Sequence, residues 1–212
     1  MSKKYDSSTW YDKPITKLIR AKKRLEVITN LCNNGKIVDL GCGGGQQLNQ
    51  IKKRYPGAEC WGIDLSEFSL SKARELNKDI RWIKADAENT ELKGNDFDVV
   101  VCSEVIEHTK NPKRLIDEVL RISKDNAKII FSIPNMSLVD RMKYFGRLFF
   151  LDKIFPQSFS SDEWHLRDMN IKIFRSIISK RLKIMRMIPI PNRIFNFWYV
   201  IEMKRLKQAY SK

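Results

Sequence analysis

The stretch Val38-Asp39-Leu40-Gly41-Cys42-Gly43-Gly44-Gly45 decides the fold of this 212-residue chain. A short apolar strand at 36–40 runs directly into the glycine cluster, and residues 46–55 then have the composition of a helix. Because glycine has no Cβ, such a loop can turn sharply and bring its backbone close to a ligand. The stretch predicts a strand–loop–helix unit that binds a ligand.

Strands and helices alternate after this unit. Further strands are predicted at 58–64, 80–86, 97–103 and 127–134, with helices at 66–77 and 112–123 and, later, a helix near 170–180 and strands near 183–188 and 197–203. Strands joined through helices of this length indicate right-handed crossovers and a parallel sheet with helices on both faces. We therefore predict an α/β fold with a Rossmann-like, seven-stranded, mostly parallel sheet.

The chain length suits one domain, which the pattern divides into four segments. We expect an N-terminal helical cap (1–33), a cofactor-binding core (34–135), an inserted substrate lid (136–168), and a C-terminal helix with a strand pair (169–212). The cap contains a basic amphipathic helix with apolar residues at helical spacing over 13–32.

A second acidic position accompanies the glycine loop. Asp64 ends the second strand, 23 residues after Gly41, where a carboxylate can accept hydrogen bonds from both hydroxyls of a ribose. A dinucleotide fingerprint would place its third glycine at position 46, which is Gln46, and a pyrophosphate disfavours a carboxylate such as Asp39 beside it. The sequence therefore favours the cationic cofactor S-adenosylmethionine (SAM) over NAD, and an NAD(P)-dependent oxidoreductase is the alternative.

Four ordered motifs carry a resemblance to a known family. They are the glycine loop with Asp64, KADAE at 84–88, FDVVVCSEVIEH at 97–108 and IIFSIPN at 129–135. Over residues 30–135 the chain resembles the class I SAM-dependent methyltransferases, particularly the ubiquinone-biosynthesis O-methyltransferases. The resemblance implies SAM as cofactor, and we expect cofactor contacts from nine residues: Asp39, Gly41, Cys42, Gly43, Asp64, Leu65, Asp86, Ala87 and Ser103. The segment 136–165 matches nothing in that family.

Methyl transfer from SAM needs mainly the alignment of acceptor, methyl group and sulfur, and a hydroxyl acceptor can also need a base. The two histidines are the candidates. His165 lies at the edge of the predicted lid and resembles a histidine that relatives carry there; it can alternatively hold the lid closed through a backbone carbonyl. His108 follows the fourth strand together with Glu104 and Glu107, and it can alternatively brace that loop. No metal-ligand spacing stands out, so we predict no metal.

The net charge of +15 concentrates outside the core. The balance is +5 over residues 1–30, zero over 31–135 and +10 over 136–212. Basic segments such as 1–30 and 136–212 attract anions, although surface lysines can also serve only to keep a protein soluble. The basic, aromatic segment 138–155 can be a lid over the sheet or can lie at a membrane interface. We expect a small-molecule, lipid-like or glycan acceptor, anionic or partly apolar, methylated on oxygen rather than nitrogen or carbon.

Two further classes stay open as alternatives. An RNA-directed methyltransferase fits the charge, but the fourth strand ends in Cys-Ser-Glu rather than in the signatures of base methyltransferases. A non-catalytic subunit with this fold would have no need of an intact glycine loop. The polar N-terminus, four unpaired cysteines and lack of a long apolar run predict a cytoplasmic protein, with peripheral contact at the inner membrane surface as an option.

Overall fold

The computed structural model describes residues 15–135, 169–178, 181–192 and 196–206. The predicted lid at 136–168, including His165 and the segment 138–155, lies outside the described residues. Along the chain the elements are α1 (Ile15–Leu31), β1 (Lys36–Leu40), α2 (Gln46–Arg54), β2 (Glu59–Asp64), α3 (Glu67–Leu76), β3 (Arg81–Lys84), β4 (Phe97–Ser103), a short 3-10 helix (Ile106–His108), α4 (Pro112–Ile122), β5 (Ser123–Pro134), α5 (Ile171–Ile178), β6 (Leu182–Pro191) and β7 (Asn196–Arg205).

The strands form one seven-stranded sheet in the order β3-β2-β1-β4-β5-β7-β6. The first five strands are parallel, and β7 runs antiparallel to both of its neighbours, β5 and β6. The predicted fold class is confirmed: the sheet has seven strands and is mostly parallel. Its helices pack on both faces, because one buried apolar cluster contains α1, α2 and α3 side chains and the other contains α4 and α5 side chains.

Strand β4 lies at the centre of the sheet, and its position explains why its residues are mostly apolar. Five of its seven residues are buried, and none of the residues inside Val99–Cys102 carries a charge. A strand between two parallel neighbours with helices on both faces has no solvent face on which to place polar side chains. The uniform apolar run is therefore what a central strand of this sheet requires.

Side-chain caps set where two helices begin. The Ser66 hydroxyl accepts from the backbone N–H of Ser69 at 3.2 Å, and α3 begins at the next residue. The Asn111 side-chain oxygen accepts from the N–H groups of Lys113 and Arg114, and Pro112 occupies the first turn of α4. Both starts agree with the sequence prediction, because serine, asparagine and proline are favoured at these positions.

Asn111→Ala is expected to lower the free energy of unfolding by about 1 kcal/mol, because two N–H groups of the first turn of α4 lose their acceptor. Urea denaturation of the two proteins would measure the difference. Asn111→Ser, which keeps a capping oxygen, should lie close to the wild type; an unchanged midpoint in the alanine variant would show that the cap contributes nothing.

Helix α1 is attached to the helix that follows the glycine loop. The buried Gln47 amide in the first turn of α2 donates to the Leu25 carbonyl oxygen at 3.2 Å and to the Thr29 hydroxyl at 3.0 Å. From β5, Lys128 Nζ donates to the carbonyl oxygen of Leu31 at 3.0 Å. These bonds fix α1 on the sheet, so that its residues can form one wall of a site beside the loop.

Candidate active site

The strand order places a crevice beside the glycine loop. From β1 the chain proceeds to β2 and β3 on one side, and then to β4 and β5 on the other, so the order reverses between β1 and β4. In open parallel sheets, ligands bind outside the carboxyl ends of the strands at such a reversal. The predicted cofactor residues follow the ends of β1, β2, β3 and β4, so the structure brings all four groups to the same edge of the sheet.

The glycine loop is held against the end of β2 and leaves open space above it. The N–H groups of Gly41 and Cys42 both donate to the Ile63 carbonyl oxygen, at 2.7 and 2.9 Å. Gly41 has a φ of 72°, and a Cβ there would lie 2.3 Å from Val105 Cγ2. Gly43 also has a positive φ, and a Cβ on it would meet nothing within 4 Å. The loop therefore packs tightly on the chain after β4 and is open at Gly43, where a ligand can approach the backbone.

Asp64 connects the glycine loop with the start of α3. Its Oδ2 accepts from the N–H of Gly43 at 2.8 Å, and its Oδ1 accepts from the N–H of Ser66 at 2.8 Å. Burial raises the pKa of Asp64, and the hydrogen bonds from Ser66, Gly43 and Leu65 act in the opposite direction. Each carboxylate oxygen can accept more than one hydrogen bond, so both remain able to accept from ligand hydroxyls.

Asp39 is a second acid beneath the loop, and it is buried. Its side chain is 2 % exposed, and its Oδ1 has no hydrogen-bond partner. Burial, and then the charge of Asp64, raise the pKa of Asp39 to about 8. A pKa of about 8 means that this carboxyl is mainly neutral at pH 7, and a positive charge placed beside it would favour its ionised form.

The other predicted cofactor residues line the same edge. Leu65 directly follows Asp64 and is 63 % exposed, unusual for a leucine. Asp86 lies in the turn after β3, where its Oδ1 accepts from the Glu88 N–H at 2.9 Å. Ala87 is half-buried in the same turn.

Ser103 lies at the end of β4. Its hydroxyl is 2.9 Å from the Ser132 hydroxyl. Cys42 is buried, and burial raises the pKa of its thiol.

An acidic pair and an arginine lie on the opposite side of the glycine loop from Asp64. Glu104 follows β4 in a left-handed conformation, with a φ of 59°, which is uncommon outside glycine and often marks a functional position. Its Oε2 lies 3.1 Å from Nη1 of Arg24 on α1. Glu107 is completely buried, and neither of its carboxylate oxygens has a hydrogen-bond partner.

The structure describes one of the two predicted catalytic histidines. His108 ends the short 3-10 helix, and its backbone N–H donates to the Val105 carbonyl oxygen at 2.8 Å. It is half-buried beside Glu107, in the loop next to the crevice. Within the described ranges, His, Cys, Asp and Glu side chains form no group of three that could hold a metal ion.

Sequence reasoning missed the contribution of α1 and β7 to this edge. Arg24 reaches Glu104 from α1, and its guanidinium lies 5.9 Å from the ring centroid of Trp198. Tyr199 lies beside Trp198 near the start of β7, and its hydroxyl is 3.5 Å from the Asn135 side-chain nitrogen after β5. Because β7 is antiparallel, its start meets the carboxyl end of β5, a placement that no local pattern indicates.

Comparison with known proteins agrees with this geometry. Residues 38–131 match the family described as methyltransferase domain. A ubiquinone biosynthesis O-methyltransferase of Methylococcus capsulatus is 38 % identical over 109 residues, which are 49 % of this chain and 45 % of that protein. The chain thus spans about half the length of the curated relatives it matches.

Solved structures extend the likeness over nearly the whole chain. The PH0226 protein from Pyrococcus horikoshii has a TM-score of 0.71 at 18 % identity, covering 92 % of this chain and 93 % of that one. The plantazolicin methyltransferase BpumL, solved in complex with a triazolic desmethylPZN analog and SAH, has a TM-score of 0.65 at 17 % identity over 93 % and 87 % of the two chains.

The sheet order, the glycine loop and the acid at the end of β2 define the class I SAM-dependent methyltransferase fold. Within that class the core of the chain resembles the ubiquinone-biosynthesis O-methyltransferases, as the sequence motifs predict.

Proposed function

We propose that this protein is a SAM-dependent methyltransferase that transfers a methyl group to oxygen of a small-molecule acceptor. The observation that carries the proposal is the pair of acids around the glycine loop, buried Asp39 and bridging Asp64, at the strand-order reversal. A cofactor with an ammonium and a sulfonium matches negative charge at this place, whereas a pyrophosphate does not.

Different described residues would hold the ribose, the adenine and the methionine part of the cofactor. The Asp64 carboxylate would accept from the ribose hydroxyls, and Leu65 with the Asp86–Ala87 turn would hold the adenine. The glycine loop would leave room for the methionine part, with Asp39 as its counter-charge and Ser103 on the β4 side. When bound, SAM supplies an already activated methyl group, so the protein contributes orientation and the exclusion of water.

The acceptor class follows from the relatives and from the charge distribution. The matched relatives are named for O-methylation in ubiquinone biosynthesis, which supports a hydroxyl on a small, partly apolar molecule. The basic excess in 136–212 supports an anionic group on the acceptor or on a lipid surface. Residues 136–168 would form the lid, and 138–155 could also contact a membrane. No helix in the described part of the chain is long and apolar enough to cross a bilayer.

Isothermal titration with SAM, SAH and NADH in parallel tests the cofactor assignment. Micromolar binding of SAM and SAH without binding of NADH supports the proposal, and labelled SAM can then be offered to catechols, lipid extracts and RNA. Binding of NADH alone would favour an oxidoreductase, and no binding of any of the three would favour a non-catalytic subunit with this fold. Transfer only to RNA would replace the small-molecule acceptor.

His165→Ala is expected to slow methyl transfer by about 100-fold with SAM affinity nearly unchanged, since a positioned base typically contributes at least this much. Single-turnover assays with labelled SAM, together with calorimetric titration of SAM, measure the two effects separately. His108→Ala serves as the parallel variant for the second candidate. Unchanged turnover in the His165 variant would give that side chain a structural role only.

A further inference from the structure

The half-buried Glu88 connects the turn after β3 with the start of α4. Its backbone N–H donates to Asp86 Oδ1 at 2.9 Å, within the turn. Its side-chain carboxylate accepts from the backbone N–H of Lys110 at 2.7 Å. The two carboxylate oxygens also accept from the backbone N–H of Asn111, at 3.1 and 3.2 Å. One residue thus joins two segments that lie more than 20 positions apart in the chain.

Helix α4 has its own N-cap, so the Glu88 carboxylate does not serve as that cap. The Asn111 side-chain oxygen accepts from the N–H groups of Lys113 and Arg114, in the first turn of the helix. The two N–H groups that Glu88 accepts belong to Lys110 and Asn111, which precede the helix. A carboxylate at this place is also favoured by the positive end of the helix dipole. The contact therefore holds the distant turn against a helix start that is already capped.

Two other hydrogen bonds hold the chain on either side of this turn. Before it, the Ala85 N–H donates to the carbonyl oxygen of Asp64 at the end of β2, at 3.2 Å. After it, the Thr90 N–H donates to Oε1 of the buried Glu118 on α4, at 2.8 Å. These bonds fix where the chain enters and leaves the turn. Between them, the Glu88 side chain supplies the contact from residues 86–88 to the start of α4.

The turn presents a hydrogen-bond acceptor beside a donor. Asp86 is exposed, and within the described residues neither its Oδ2 nor the backbone N–H of Ala87 forms a hydrogen bond. The edge of adenine that carries the 6-amino group and N1 is complementary, because the amino group donates and N1 accepts. Both bonds form together only when the turn has one particular orientation. Whatever fixes that orientation therefore contributes to the recognition of adenine.

We propose that Glu88 is a positioning residue for adenine recognition. By holding the turn against the start of α4, its carboxylate keeps the Asp86 oxygen and the Ala87 N–H directed at the amino group and N1 of the adenine. Glu88 acts through these two neighbours and does not bind the cofactor itself. The inference rests on the proposed function, because it requires SAM or SAH in the crevice.

An inosine analogue of SAH tests the orientation of the turn. S-Inosylhomocysteine has the ribose and homocysteine parts of SAH, but its 6-oxo group accepts and its N1–H donates. Both hydrogen-bonding positions are therefore reversed relative to adenine. We expect the wild type to bind SAH at least about tenfold more tightly than the inosine analogue in isothermal titrations, because a mismatched site leaves polar groups unpaired.

Glu88→Ala should weaken SAH about tenfold and leave the affinity for the inosine analogue nearly unchanged, so the preference for SAH largely disappears. Glu88→Gln keeps a side-chain oxygen that can accept from the same N–H groups, and it should restore most of the preference. The ratio of the two affinities is the decisive measurement. A general loosening of the pocket would weaken both ligands alike and leave that ratio unchanged.

Two control variants separate positioning from stability and from charge. Asn111→Ala removes the cap of α4 but leaves Glu88 and the backbone N–H groups that it accepts. It should lower the urea midpoint while keeping the wild-type preference for SAH. Glu91→Gln removes a negative charge from an exposed position in the same loop, and it should also keep that preference.

A wild-type preference for SAH in Glu88→Ala would overturn the positioning role. An equal loss of preference in Asn111→Ala would overturn it as well, because the effect would then come from loosening the start of α4. If the wild type binds SAH and the inosine analogue equally well, the turn does not recognise adenine, and this inference fails while the SAM assignment stands. Failure of the wild type to bind SAH, which is measured first, would instead count against the proposed function.

Discussion

Asp64→Ala is expected to weaken SAM binding at least about 100-fold. The variant removes both carboxylate oxygens that would accept from the ribose hydroxyls, and hydrogen bonds to a charged group contribute about 1.5–3 kcal/mol each. Two such bonds correspond to a loss of two or more orders of magnitude in affinity. Isothermal titration with SAM and SAH measures the effect directly.

The same variant also has a structural cost, which must be separated from the loss of binding. Asp64 accepts from the N–H groups of Gly43 and Ser66, so its removal frees the glycine loop and the start of α3. Asp64→Asn keeps one side-chain oxygen and should retain more stability than Asp64→Ala while still binding SAM poorly. Glu67→Ala, an exposed acid one turn away, is the control. Affinity like that of the wild type in Asp64→Ala would overturn the assignment of the pocket.

The parts of the fold that local sequence predicts well are those whose hydrogen bonds and burial are local. The bounds of β4 match the apolar run at 97–103, and α3 and α4 begin where Ser66 and Asn111 can cap them. The start of β5 is different, because the strand begins at Ser123 and not at 127. The residues Ser123–Asn126 are polar and resemble a turn, but Ser123 pairs with Phe97 on β4, and that pairing is not visible in the segment itself.

In the site, too, some residues are marked by their neighbours in the sequence, and others are placed only by contacts with distant parts of the chain. Asp39 and Asp64 could be predicted because strand ends and glycines mark their positions along the chain. Arg24 could not, because in sequence it is one of three consecutive basic residues on an amphipathic helix, 80 positions before its partner Glu104. Only the packing of α1 against the sheet distinguishes the one basic residue that turns inward from its solvated neighbours.

The placement of β7 also depends on distant contacts. It lies between β5 and β6, so Trp198 pairs with Pro134 and Tyr199 pairs with Ile133 near the crevice. The strand was predicted from its composition, but its antiparallel direction and its neighbours are set by pairing over more than 60 residues. The sequence thus indicates the cofactor side of the site more fully than the acceptor side.

Asp39→Asn is expected to change stability and cofactor binding in opposite directions. In the folded protein the pKa of Asp39 is raised to about 8, against an ordinary value of 3.8, mainly because burial disfavours the charged form. Between these two values the unfolded chain gives up the proton and the folded protein keeps it. The free energy of unfolding therefore falls as pH rises from about 4 to about 8, and an uncharged asparagine removes this loss.

The expected gain in stability for Asp39→Asn is close to zero near pH 4 and reaches a few kcal/mol at pH 8. Urea denaturation of both proteins across this range measures it. Asp64→Asn is not an equivalent control, since Asp64 is hydrogen-bonded to backbone N–H groups. Asp79→Asn on the surface is the control variant. A constant difference between Asp39→Asn and the wild type at all pH values would mean that Asp39 is ionised in the folded protein.

A buried acid that lowers the free energy of unfolding has a function if a positive charge binds beside it. SAM carries an ammonium group, and its arrival would favour the ionised form of Asp39, so binding by the wild type at pH 7 should release a proton. Calorimetry in buffers of different ionisation enthalpy detects that release, and Asp39→Asn should lose both the proton release and about 10- to 100-fold in affinity. A variant that is more stable and still binds SAM as tightly as the wild type would mean that Asp39 takes no part in binding. The negative charge that favours SAM over NAD would then come from Asp64 alone.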